Sequence, residues 1–422
     1  MMPALSIAAV VVTAKLAIVS ATVEVGDGTT LTDATVLIDG DVIAAVGTNL
    51  PIPPDARRLD GVGRTVTPGL VQVGSQVGLF DVGLEASLDD TGNDAALSPS
   101  FRAGDGYNPL SFRTAIEREE GITTAVLTPS GHKLLMGTAH AISLRTSLDV
   151  VPGPALAQVG AFSGSVGDTQ GGSRAAALAS LRAALDDTRL YTKNIAAYDR
   201  AQLRPLSLPK AGLEALAPMA SGQQPFMVHV DRAADIKALL AVAAAEKLKL
   251  IIMSGQESWL VAAELKAAAV PVVVYPSWSG QRGFDGLHAR DDLAAFLHAA
   301  GVTVMIGTWS TDNGTTRLRQ EAGIAVQNGL PRAEAIKAIT QTPARTFALT
   351  APKAPSLGTV TAGARADLVL WSGDPLETTT LAERVLIGGA LVDGDTRQRA
   401  LEKKYLRALK EAHAAKHGAG AR

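Results

Sequence analysis

The chain has 422 residues, with 39 basic and 41 acidic side chains, a net charge of −2, 47% hydrophobic residues and 4% aromatic ones. That balance belongs to a globular protein with a sizeable core, and it argues against a disordered chain, a polyanion-binding surface and an aromatic platform for nucleobases. There are no cysteines, so disulfides, zinc ribbons and thiol nucleophiles are excluded.

The apolar run Ala4–Ala14 (A-L-S-I-A-A-V-V-V-T-A) is too short to span a bilayer. Two readings stay open for residues 1–14. One is the core of an export signal, which would place the protein in the periplasm or outside the cell and is the slightly favoured expectation. The other is a buried strand or tail, since no Lys or Arg precedes the run. Residues 15–67 then read as short β-runs divided by turn residues, with D-G marking a hairpin and Pro51, Pro53 and Pro54 a stiff connection.

From 68 to 350 the pattern changes. Apolar runs at 123–127, 225–230, 248–253, 270–275 and 302–307 alternate with segments of helical length at 173–187, 233–246, 259–269, 290–300 and 332–349. Continuous apolar strands alternating with helices predict a parallel sheet covered on both faces. The extent suits an α/β fold of the TIM (β/α)8 type. A doubly wound open sheet is the rival, weakened by the lack of a G-x-G-x-x-G turn after an early strand. β-runs return over 355–396, so a small β-sandwich domain built from both chain ends, with the barrel inserted, is expected. Residues 397–422 read as a charged terminal helix and tail.

Five stretches appear in order along this frame: V-T-P-G-L (66–70), E-G-I-T-T-A-V-L-T-P-S-G (120–131), H-V-D-R-A-A-D-I (229–236), G-L-P-R-A-E-A-I-K-A-I-T-Q-T-P-A-R (329–345) and A-D-L-V-L-W-S-G-D-P-L (366–376). Together they resemble the amidohydrolase superfamily, nearest to its imidazolonepropionase-like branch. The resemblance implies hydrolysis of amide and other C–N bonds, usually with one or two divalent metals at the barrel mouth. A zinc-type ion polarises the carbonyl and lowers the pKa of its bound water to about 7, which needs several His and carboxylate ligands at strand ends.

Matched position by position, the resemblance implies a site emptied of ligands. The His-x-His pair after P-G-L falls on Gly74 and Gln76. The strand-five histidine is retained as His229. The strand-six histidine falls on Ser254 and the strand-eight aspartate on Trp309, with Asp312 three residues on. Glycine offers no donor, a neutral amide is a poor ligand, and one imidazole does not hold zinc. The expectation is therefore no bound cofactor, a divalent metal such as zinc entering only if the alignment is shifted.

Each remaining candidate has a structural reading beside its functional one. His229, Asp312 and Glu257 are the candidate catalytic groups; a satisfied core histidine, a loop cap and a helix cap are the alternatives. Gln76, Ser254 and Trp309 are pocket candidates, with Trp309 alternatively filling volume the metal has left. Arg102 and Asp105, in the Gly/Pro-rich segment 97–109, could read a ligand's carboxylate or amine, or simply pair with each other. Tyr191 and Lys193, in L-Y-T-K-N, are weaker candidates; some members of the family it resembles carry a metal-bridging lysine near the fourth strand, but that role is not assigned to Lys193. The functional expectation is a small-molecule binder, either a homo-oligomer or the silent partner of an active paralogue, with no membrane span and no nucleic acid. The alternative is an active hydrolase of small amides on an altered site.

Overall fold

The computed structural model describes residues 16–83, 85–92, 97–145, 147–163, 172–278, 283–308, 315–349, 356–392 and 396–418. Residues 1–15, and with them the candidate export signal, lie outside that set, as do Trp309 and Asp312.

Five strands open the chain: β1 (Leu16–Glu24), β2 (Thr30–Asp39), β3 (Val42–Gly47), β4 (Arg57–Asp60) and β5 (Thr65–Pro68). Eight more form a second sheet: β6 (Leu70–Ser75), β7 (Ile122–Leu127), β8 (Gly137–Ser143), β9 (Ala155–Ala161), β10 (Phe226–Val230), β11 (Leu250–Ser254), β12 (Val272–Val274) and β13 (Val304–Ile306). Three close the described strands: β14 (Leu368–Trp371), β15 (Ala382–Ile387) and β16 (Ala390–Val392).

The second sheet runs β6 to β13 in chain order. Its end strands approach each other, because Gln72 Nε2 on β6 donates to Thr308 Oγ1 just beyond β13 at 3.0 Å. This is the expected barrel, with one departure. β8 is antiparallel to both β7 and β9, so the third strand enters by hairpin-like connections without crossover helices. β7 (I-T-T-A-V-L) is buried along its whole length, as a strand covered on both faces should be.

The helices pack outside. Ser173 opens Arg174–Lys193, its hydroxyl accepting from Ala176 N at 3.2 Å. Ala233–Glu246 ends at Lys247, which is left-handed at φ 57°. The expected helix 332–349 is two shorter ones, Arg332–Ala338 and Gln341–Thr346, and Val71 N of β6 bonds to Ile339 O in the break between them. Tyr191 and Lys193 sit on the helix Arg174–Lys193, away from the fourth strand β9; Tyr191 donates to Glu214 Oε1 at 2.8 Å.

The small domain is one eight-stranded sheet in the order β16-β15-β14-β5-β1-β2-β3, with β4 on β1. β1 gives its first half to β4 and its second half to β5, and it is irregular near Ser20, a residue at φ 57°. That division lets the sheet curl over its own core of Ile18, Val23, Val36, Ile43, Val66 and Leu368. β5 and β14 bring the two ends of the chain side by side. From β14, Trp371 reaches into the barrel's core cluster. It is fully buried and donates from Nε1 to Thr67 Oγ1 at 2.8 Å.

Candidate functional site at the barrel mouth

A cavity of about 530 Å³ opens at the carboxyl ends of the barrel strands, where such barrels carry their sites. β6 and its following loop supply Gly74 and Gln76; the loop after β7 supplies Ser130 and His132. The end of β10 supplies His229 and Asp231, and the ends of β12 and β13 supply Tyr275, Trp278 and Thr308.

His229 is in register with Met253 on β11 and Ala161 on β9, so its position is set from both sides. Its ring stacks on Tyr275 with centroids 6.3 Å apart and 25° between planes. The ring keeps some surface towards the cavity but lies deep below the rim. That burial removes water from the charged form and holds its pKa at about 4. His229 is therefore a neutral imidazole at pH 7.

Asp231, two residues on, brings a carboxylate to the same wall. Its Oδ1 accepts from Gln256 N at 3.2 Å, and the Ser254 hydroxyl also bonds to it. Burial still outweighs these bonds and raises its pKa above the ordinary aspartate value. The Tyr275 phenol is likewise pushed up, first by burial and then by the nearby Asp231 charge. Gln76 is 9% exposed, and its Oε1 has no hydrogen-bond partner among the described residues. That oxygen is itself closed off from solvent, so it is a buried acceptor that carries a desolvation cost.

The other candidates are placed as follows. Ser254 ends β11 in a left-handed conformation, φ 69°, with its hydroxyl turned to Asp231. Glu257 is absent from the cavity lining. Its carboxylate accepts from Ala233 N at 3.0 Å, at the start of a helix, and meets His288 N and Nδ1 at 3.1 and 3.0 Å. That is the helix-capping alternative, and these bonds lower its pKa against the effect of burial. Arg102 and Asp105 pair with each other at 3.2 Å in the segment laid along β8, and neither lines the cavity. The structure thus puts Gln76 and His229 in the cavity lining, Ser254 behind it as a partner of Asp231, and Glu257, Arg102 and Asp105 apart. Asp231 was missed, although a strand's period of two places it on the side of His229.

Do these residues fit a divalent metal? Among the described residues, no three His, Asp or Glu side chains converge. Gly74 stands at φ 79°, and a Cβ built on it would lie 2.9 Å from Met253 Cε and 3.7 Å from Tyr275 Oη. The space a side chain from this position would enter is thus filled by a thioether methyl and a phenol. His132, His229 and Asp231 all line the cavity but do not come together as a three-ligand set, which a structural or catalytic zinc site needs. The described residues do not fit the ion. Gly74→Ala is expected to lower stability by about 1 kcal/mol, mostly through the unfavourable φ because Met253 can yield; the midpoint of urea unfolding would read it.

Comparison with known proteins agrees with this architecture. Residues 226–397 match the model of the Amidohydrolase family. An amidohydrolase from Thermotoga maritima MSB8 is 23% identical, covering 90% of this chain and all of the other, with a TM-score of 0.80. Ochratoxinase from A. niger is 18% identical over 90% of this chain and 98% of its own, with a TM-score of 0.53. Phenylurea hydrolase B is 15% identical over 90% and 97%, with a TM-score of 0.52. No curated protein matches the sequence. Residues 226–397 thus match the family's model, and the solved structures share this chain's fold over 90% of its length.

Proposed function

We propose that this chain binds a small amide, urea or amine at the barrel mouth and does not hydrolyse it by metal catalysis, acting as a binding subunit alone or beside an active paralogue. The observation that carries the reading is Gly74: the place from which the superfamily's first ligands would project holds a glycine, with Met253 and Tyr275 packed over it. The cavity volume lies within the range of small-molecule sites. The Asp231 carboxylate on the cavity wall is an acceptor, so it favours a ligand rich in N–H groups, which keeps the C–N chemistry of the lineage. His229, neutral at pH 7, adds one donor and one acceptor.

A second reading, hydrolysis on an altered metal-free site, draws on Asp231. A buried carboxylate of raised pKa on the wall of the same cavity as an imidazole is suited to general-base work. One experiment separates the two. The protein is loaded with Zn²⁺ or Mn²⁺, desalted, analysed for metal and assayed against N-acyl amino acids, dipeptides, lactams and phenylureas. The expected result is well under one ion per chain, no turnover, and a thermal shift with one compound class that Asp231→Asn weakens about tenfold. Turnover abolished by Asp231→Asn would establish the second reading, and stoichiometric metal would overturn both.

A further inference from the structure

The helix Arg397–Gly418 leaves the body after its first turn. Thr396 Oγ1 donates to Glu119 Oε1 at 2.7 Å, and Arg399 Nε pairs with the same carboxylate at 2.9 Å. Beyond that anchor Leu401 is 39% exposed, Tyr405 60%, Leu406 47% and Leu409 65%. Positions 401, 405 and 409 recur every four residues and form one apolar stripe along the helix. Residues 397–410 carry six Lys or Arg against one Glu, a net charge of +5 that leaves −7 on the rest of the chain. A cationic helix with an open apolar stripe fits an acidic, apolar partner surface.

This chain has such a surface. The hairpin 79–90 is closed by the Phe80–Asp89 bridge and by Asp81 N to Leu88 O at 3.1 Å. It is held against the start of the helix Phe112–Glu119, where the Ser111 hydroxyl bonds to Asp81 and Arg113 Nε donates to Asp81 O at 2.6 Å. Val82, Leu88, Leu110 and Phe112 stand 41–58% exposed there. The same hairpin carries Asp81, Glu85, Asp89 and Asp90 against the single cation Arg113, whose guanidinium lies 5.0 Å from the Phe80 ring and 5.9 Å from the Phe112 ring, and no Lys or Arg occurs between Arg64 and Arg102.

We propose that the C-terminal helix of one copy docks on this acidic apolar patch of a second copy. The helix is anchored at Glu119 and its residues 401–410 stay solvent-exposed in their own chain, while the patch lies at the opposite end of the helix Phe112–Glu119. Reciprocal exchange of two such helices closes a twofold dimer with no face left over. The hairpin continues the loop of Gln76, whose carbonyl accepts from Leu79 N and Phe80 N at 3.0 and 3.2 Å, so docking would steady one wall of the mouth cavity. The proposal holds whether or not that cavity turns over a substrate.

The test is sedimentation velocity on the full chain, with and without phosphatidylglycerol vesicles. Wild type is expected to dimerise and to stay out of the vesicle fraction. Leu401→Ser with Leu409→Ser should weaken dimerisation about tenfold or more while leaving the thermal transition unchanged. Lys403→Glu with Lys404→Glu should weaken it too, as should Asp89→Lys with Asp90→Lys. Mixing these last two variants should restore a mixed dimer, because each then offers the other a matched helix or patch. A wild-type monomer, a dimer that survives both the helix and the patch variants, or recruitment of a monomer to the vesicles would each overturn the proposal.

Discussion

His229→Gln is expected to flatten the loss of stability between pH 6.5 and pH 4. In the wild type the imidazole has its ordinary pKa of 6.5 when unfolded and about 4 when folded. Between those values the unfolded chain takes up a proton that the native chain refuses. Stability therefore falls as pH falls through the window and is fully present above it. The whole interval corresponds to about 3 kcal/mol, and access of water through the cavity reduces it to about 2 kcal/mol. Glutamine does not titrate, so the variant should keep that share of its stability at pH 4. His140, also depressed by burial, leaves a residual slope in both proteins. Urea unfolding at four pH values is the measurement. Parallel slopes for the two proteins would mean that His229 meets bulk water or an anion in solution.

Trp371→Ala is expected to cost more, about 3–5 kcal/mol. The indole is fully buried, and its ring fills the space above Gly121, where a Cβ would stand 2.4 Å from Cη2. The Arg319 guanidinium lies 5.6 Å from the ring, adding a cation–π contact. Because Trp371 belongs to the small sheet and packs in the barrel's core, its loss should also loosen one domain from the other. Urea unfolding is expected to show one transition in the wild type and two in this variant. Trp371→Phe keeps most of the apolar contact but loses the bond to Thr67, so about 1 kcal/mol is expected. An alanine variant within 1 kcal/mol of wild type would show that the two domains hold together by other contacts.

Much of the fold was legible for a simple reason. β7, β10 and β11 are mostly apolar and buried runs, and such runs between helices of ordinary length have few other readings. β8 and β9 gave no such signal. G-T-A-H-A-I-S and A-L-A-Q-V-G-A are made of small residues because other backbone crowds them: a Cβ on Gly137 would meet Phe101 O at 2.3 Å, and one on Gly160 would meet Leu134 O at 1.9 Å. Those contacts come from loops distant in sequence, which no local pattern reports. At the site, Gln76 and Ser254 are picked out by the family resemblance, and His229 also by its place at the end of a strand. Ser130 and His132 come from a loop and carry no periodicity. Glu257 read equally well as an acid or a helix cap, and only its partners decide between them.

The pairing of β5 with β14 has a consequence for how the protein is made. Thr67 and Trp371 are joined across 304 positions of chain, so the first sixty-odd residues leave the ribosome long before their partners exist. Until translation is nearly complete, β5 has an unsatisfied edge and the nascent small sheet lacks three of its strands. A stalled or clipped polypeptide would present that open edge to its neighbours. Completion of the last fifty residues, rather than of the barrel, is the event that seals the molecule.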